Sequence, residues 1–179
     1  FWWYLKGVPF LDFGVSMRFG IPVRALIADY FVRTLQLALA AFVLSVTLGV
    51  SLGVLAALAR GTWVDRAIMV AALAGISAPV FVVGIGLILV ASAAGWKHIS
   101  GTGFGDGVDP RYLVLPALTL GSRSIAYLAR MTRASVLEVS HADFLRTARA
   151  KGLSERQVVV KHMLKNAMIP IITIIGLNF

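Results

Sequence analysis

Few side chains in these 179 residues have the types and spacing that chemistry requires. His98, His141 and His162 stand far apart and do not cluster in sequence with carboxylates as a metal-ligand set. There is no cysteine, which removes disulfides and thiolate metal sites and says nothing of redox compartment. No nucleophile elbow presents a serine. The run GTGFGDGVDP at 101–110 has the glycines of a phosphate loop but neither the GK[ST] ending nor a preceding strand. Its Asp106 and Asp109 read as a solvated turn rather than as calcium ligands. An enzyme is therefore not expected. What remains is charge, concentrated in the segment 143–170, DFLRTARAKGLSERQVVVKHMLKNAMIP, the one long basic stretch of an otherwise apolar chain.

Local signals divide that segment into two helices. Gly152 suits the left-handed residue that ends a helix, and Leu153 follows as the apolar contact of such a cap. Ser154 with Gln157 three residues on matches a capping box, and Leu153 can staple onto Val158. Three independent cues agree on one turn.

The elements that hold this turn are membrane helices. The chain is 59% hydrophobic and only 14% charged, with mean hydropathy +0.86, against about a quarter charged residues in soluble domains. Residues 1–33 are aromatic and interrupted by Gly7, Pro9, Gly14, Gly20 and Pro22, which suits an interfacial lead-in with Trp2, Trp3, Tyr4 and Tyr30 at headgroup level. The opening FWWYLKG shows neither the basic leader nor the small-residue cleavage site of a signal peptide. Residues 34–59 carry no charge and suffice for a first span; Gly49 and Gly53, with Ser45 and Ala56, offer a small face for close packing. A second charge-free stretch covers 67–94, and Pro79, with Ser77, Gly84 and Gly86 nearby, should kink it where a transport pathway could widen. A third, shorter span covers 112–130 and is broken by Arg123. Arginine deep in hydrocarbon costs on the order of 2.5–3.5 kcal/mol on insertion scales, so Arg123 either faces a wet interior or snorkels; its nearness to Arg130 favours snorkelling. A fourth apolar stretch, 166–179, is too short to span and is expected to end inside a helix.

Loop charges orient these spans. RGTWVDR at 60–66 and the segment 130–165 fall on one side and carry most of the arginines and lysines, which places them in the cytoplasm. The basic helix pair, at about 138–165, is then pinned between two spans, so motion of either moves it. A helix–turn–helix of this charge resembles a DNA reader in outline, but the flanking spans would hold it against the membrane, and no nucleic-acid partner is expected. The rival to a coupling role is a membrane scaffold whose basic loop rests on anionic lipid or binds another cytosolic partner.

These residues also carry a family resemblance. The run RTARAKGLSERQVVVKHMLKNAMIP is similar to the cytoplasmic EAA loop of ABC-importer permeases, specifically the dipeptide, oligopeptide and nickel family. The likeness extends through DFGVSMRFGIPV, TLQLALA, LGVSLGVLAAL, RGTWVDR, ISAPVF and LPALTLGSRSIAYLARMTRASVLEV, almost the whole chain. Arg146 and Thr147 stand where the broader motif has Glu and Ala, and His162 and Lys165 replace a later Ile and Pro. Those departures are like the peptide subfamily's own.

The resemblance implies an all-α, polytopic transmembrane bundle of the type I ABC-importer kind, in the bacterial cytoplasmic (inner) membrane. Such permeases have six membrane helices, and this chain resembles the part from the segment after the first helix to the start of the fifth, without the C-terminal helices. It implies a second, homologous permease subunit, two cytoplasmic ABC ATPase subunits that carry the ATP and magnesium, and an extracytoplasmic solute-binding protein. By the same resemblance 144–156 contains the coupling helix that docks in an ATPase groove. Gly152 would allow close approach at the turn before Ser154, and Leu145, Ala148 and Leu153 would supply an apolar anchor in the segment that Phe144 opens. Arg146, Arg149 and Lys151 would pair with acids of the partner, and Arg156 closes the segment. Pro79 and Arg123 are candidates for hinge or pathway. No Walker sequence occurs here, so this chain is expected to bind no cofactor and to leave ATP hydrolysis to its partners.

Overall fold

A computed structural model describes residues 2–10, 12–96 and 110–177. The glycine-rich run with Asp106 and Asp109, and His98, lie outside the described residues. The chain forms two compact units, residues 1–39 and 40–179.

The first unit contains α1 (Trp2–Gly7), a single 3-10 turn (Val8–Phe10) and the start of α2 (Val23–Leu58). A tight loop precedes α2, in which Ser16 N–H donates to Ile21 O and Val23 N–H to Gly14 O, both at 3.0 Å. The expected lead-in thus gives way to helix at Val23, eleven residues before the charge-free stretch begins, because Arg24, Asp29 and Arg33 are tolerated on a helix that Pro22 starts.

In the second unit, four elements surround α5 (Pro110–Ser140): the body of α2, then α3 (Trp63–Ser77), α4 (Val80–Ala93) and α7 (Glu155–Leu177). Among the described residues no strand pairs into a sheet. Helices α2 and α5 touch through their backbones. A Cβ on Gly49 would meet Leu128 Cβ at 2.7 Å, one on Gly53 would meet Ala129 O at 2.6 Å, and one on Gly121 would meet Ser45 Oγ at 2.7 Å. The rising numbers on both helices show that they run parallel. Ser45 hydroxyl completes the seam by donating to Ala41 O at 2.6 Å and reaching Gly121 O at 3.3 Å.

Two parallel neighbours that both cross a membrane need a return path, and α3 with α4 supplies it. Asp65 pairs with Arg133 and a Cβ on Gly75 would meet Ala126 at 3.2 Å, so α3 runs antiparallel to α5, and a Cβ on Gly84 would meet Thr119 at 3.0 Å, so α4 reaches α5 nearer its N-terminal end. The second span is therefore not one kinked helix over 67–94. It is two helices bent by 120° at Ala78 and Pro79, each too short to cross alone. Proline has no N–H to give and disfavours helix in the residue before it; Ala78 accordingly takes extended backbone, ψ 133°, and Pro79 caps α4.

Two further expectations are corrected. Helix α5 runs unbroken through Arg123 to Ser140, since a charged side chain leaves the backbone hydrogen bonds intact. The fourth stretch does not begin at 166: α7 starts at Glu155 and continues for 23 residues, with a π-helical stretch over Val158–Leu164, long enough to span. Among the described residues, three single helices are long and apolar enough to cross a membrane, and the bent pair, taken as one broken span, makes a fourth. The cytoplasmic ends assigned from charge meet, because Arg60 Nη1 lies 3.3 Å from His141 Nε2.

The α2–α5 seam is tested by comparing Gly53→Ala with Gly86→Ala. At Gly53 the new methyl group meets helix backbone, and overpacking of about 1–3 kcal/mol should lower the thermal midpoint in detergent. Gly86 has nothing within 4 Å, and alanine there should leave the midpoint unchanged or raise it by up to about 1 kcal/mol of helix propensity.

Candidate functional site: the basic loop and its seat

The loop begins with α6 (Asp143–Ala150), whose sequence DFLRTARA places Leu145 and Ala148 on one face and charge on the other. Asp143 in the first turn and Arg149 in the last suit the helix dipole. The turn after it has the expected chemistry. Gly152 sits at φ +80°, its N–H donates to Arg149 O at 2.9 Å, and Leu153 N–H donates to Ala148 O at 3.4 Å. These are the two bonds of a Schellman cap, which satisfy carbonyls that the helix end would otherwise leave free. Ser154 then opens α7 with the capping box, its N–H donating to Gln157 Oε1 at 3.1 Å.

A clasp that the sequence did not announce closes over this turn. Arg149 Nε donates to Glu155 Oε2 at 3.0 Å and Nη2 to Oε1 at 2.7 Å, a two-pronged pair that bridges the last turn of α6 and the first residue of α7. Its hydrogen bonds to Glu155 hold the guanidinium pKa above its ordinary value. The expectation that Arg149 awaits a partner's acid is therefore revised: the acid is supplied from within the chain. Spacing across a glycine turn hides such a pair, because neither residue shares a helix face with the other.

The apolar anchors also divide differently. Leu145 (0% exposed) and Ala148 are buried, packed in one cluster with Ala57 of α2, Val136 of α5, and Val158, Met163 and Ala167 of α7. They hold the loop to the membrane helices and are closed to any partner. Phe144 (42% exposed) and Leu153 remain open, as do Arg146, Lys151, Gly152, Ser154 and Arg156. Arg146 makes a long contact with Asp143, 3.8 Å, on the open surface. The helical offset between Phe144 and Leu145 could have separated the two classes, had the direction of the core been known.

The seat is braced from below. Ser135 hydroxyl donates to Ala167 O at 2.9 Å, joining α5 to α7 inside the core. Asp65, buried at the start of α3, receives Arg133 Nε at 2.6 Å and Nη2 at 2.7 Å, and Gly61 N–H at 3.0 Å. Asp65 was visible only as one charge in a polar turn, and its partner stands 68 residues away.

The two pathway candidates fall apart in space. Pro79 sits at the α3–α4 corner, beside a cavity of ≈510 Å³ reached by Gly75, Val83, Leu87 and Ile125, with Ser122 the polar side chain on its wall. Arg123, on a different face of α5, is exposed. Helix α5 continues ten residues past Arg130, so both arginines stand on one unbroken helix. Among the described residues no cluster of three or more His, Cys, Asp or Glu could hold a metal ion.

Leu145→Ala should cost about 2–5 kcal/mol, because it empties a sealed position. Phe144→Ala should stay within about 0.5 kcal/mol. Thermal midpoints of the two purified variants check the assignment of faces.

Comparison with known proteins agrees with this architecture. Residues 49–179 match the family of binding-protein-dependent transport system inner membrane components. The chain is 44% identical over 180 residues to proteins named glutathione transport system permease protein GsiC from Shigella flexneri serotype 5b (strain 8401) and Escherichia coli (strain K12). A GsiC protein from Escherichia coli O6:H1 is 43% identical over the same length. All of this chain is covered in these matches, but only 57% of each relative. With apolar helices that cross several times and this family match, the chain belongs to the inner-membrane permease components of binding-protein-dependent ABC import systems.

Proposed function

We propose that this chain is part of the membrane subunit of an ATP-driven importer for small peptides, glutathione among them, and that α6 with the Gly152 turn is where a cytoplasmic ATPase docks. The observation that carries this reading is the seat of α6. Its inner face is locked to the ends of α2, α5 and α7, while its outer face offers Phe144, Leu153, Arg146, Lys151 and Arg156. A push on the outer face is delivered to three membrane helices at once. A second permease subunit would complete the pathway, two ATPases would hydrolyse ATP with magnesium, and a solute-binding protein would deliver the peptide. The named solute of the relatives supports glutathione or a peptide like it.

On this reading Phe144 and Leu153 are the apolar anchors in the ATPase groove, since buried hydrophobic anchors usually outweigh rim charges. Arg146, Lys151 and Arg156 steer and align. Arg149 keeps the turn closed through Glu155. Gly152 contributes its left-handed backbone and its empty surroundings, nothing lying within 4 Å of a Cβ placed there.

Gly152→Arg is therefore expected to insert into the membrane yet to abolish glutathione uptake and solute-stimulated ATP hydrolysis in proteoliposomes holding the assembled transporter. Normal uptake by that variant would sink the coupling role. Purification of the wild-type protein without any ATPase, together with a loop interaction lost in high salt, would instead support a scaffold resting on anionic lipid.

A further inference from the structure

Helix α5 is covered on every side but one. Gly121, Leu128 and Thr132 face α2, Ala126 and Arg133 face α3, Thr119 faces α4, and Ser135 faces α7. The side left open advances by three or four residues at a time: Leu120, Arg123, Tyr127, Arg130, Ala134 and Glu138, all exposed. That is one straight helical stripe. Neither Arg123 nor Arg130 has an acid partner among the described residues.

Depth gives the stripe its meaning. The apolar part of α5, residues 112–130, is centred on residue 121, and Arg133 already pairs with Asp65 of the polar turn at 60–66. At 1.5 Å per residue, Arg123 lies about 3 Å, Tyr127 about 9 Å and Arg130 about 14 Å from that level, against a half-thickness of about 15 Å. A guanidinium at mid-depth does not face lipid; intramembrane charges face a wet interior or another polar surface, and Tyr127 and Arg130 continue the same stripe to the membrane edge. The apolar cavity beside Pro79 offers no such surface, and it opens on other residues of α5.

We propose that the Arg123–Tyr127–Arg130 stripe of α5 is a wall of the aqueous path through the membrane and that it binds the carboxylates of an anionic peptide in passage. The spacing fits that task. Arg123 and Arg130 are seven residues apart, about 10 Å along the axis, with the Tyr127 hydroxyl between them. A guanidinium presents a planar fork of donors that matches a carboxylate, so two forks along one line can hand a solute's carboxylate from one to the next. This inference rests on the permease reading above and adds the face, the residues and the charge class of the solute.

The test uses the assembled transporter with any other cysteines removed; this chain contributes none. Tyr127→Cys should react with an anionic methanethiosulfonate reagent at least tenfold faster than Val90→Cys, whose position is exposed but lies on the apolar α4. The anionic reagent should outpace its cationic counterpart at Tyr127→Cys, and adding Arg123→Gln or Arg130→Gln should reduce that preference at least threefold. Glutathione uptake should fall at least tenfold in Arg123→Gln and recover in part in Arg123→Lys. A Tyr127→Cys as slow as Val90→Cys, in a transporter whose wild type imports glutathione, overturns the wall while leaving the permease reading standing. So does dissociation of the subunits by Arg123→Gln, which would mark the stripe as a protein contact. An unchanged reagent preference overturns carboxylate binding. If the wild type imports no glutathione, the solute assignment above fails, and the two reagent measurements still decide whether the stripe is wet and anion-selective.

Discussion

How near α2 and α5 come to each other governs the rest of the second unit. In lipid no hydrophobic force draws helices together, so association depends on packing and on polar contacts that short distances permit. Gly49, Gly53 and Gly121 remove the side chains that would hold the two backbones apart, and Ser45 uses the gap for a hydrogen bond across it. With that seam shut, α5 is fixed in place, and the bent pair on one side and α7 on another have a common post to pack on. The α2–α5 contact also forces the chain's path: parallel neighbours demand a return crossing, and α3–α4 is that crossing.

The same post explains why the basic loop is more than a connection. Leu145 and Ala148 sit at a junction of α2, α5 and α7, held beneath by Ser135 and Ala167 and closed above by Arg149 and Glu155. Exposed ion pairs add little stability, and the clasp is better understood as fixing the shape of the turn than as holding the fold. The loop's own hydrophobic face is used up inside the chain. What it shows to the outside is a small set of side chains on a stiff mount.

Much of this was legible in the residues. Gly152, Ser154 and Gln157 specify their turn by chemistry that acts within six residues, and the turn formed with the bonds those residues require. The charge-free stretches marked the membrane helices for the same reason, since span length is a local property. The boundaries were less visible. Charge marks where a stretch stops being purely apolar, but helices run on through Arg24, Arg123 and Arg130, because a backbone hydrogen bond is indifferent to a side chain pointing elsewhere. The sharp corner at Pro79, the pairing of Asp65 with Arg133, and the inward turn of Leu145 depend on which elements meet, and one sequence does not contain that information. The resemblance pointed to the stretch that folds as helix, turn and helix and could not say which of its residues were free.

The corner between α3 and α4 has a consequence for hydrogen-bond accounting. A helix end leaves up to four carbonyls or four N–H groups without partners in the helix, and here an end and a beginning fall together, with only Ala78 and Pro79 between them. Ala78 N–H closes back on Ala74 O, and Pro79 has no donor to satisfy, so the deficit is smaller than at an ordinary break. The remaining groups would each cost several kcal/mol in hydrocarbon. At hydrocarbon depth such a corner would need water or another protein surface beside it, so the cost of the SAPV break depends on what meets its backbone.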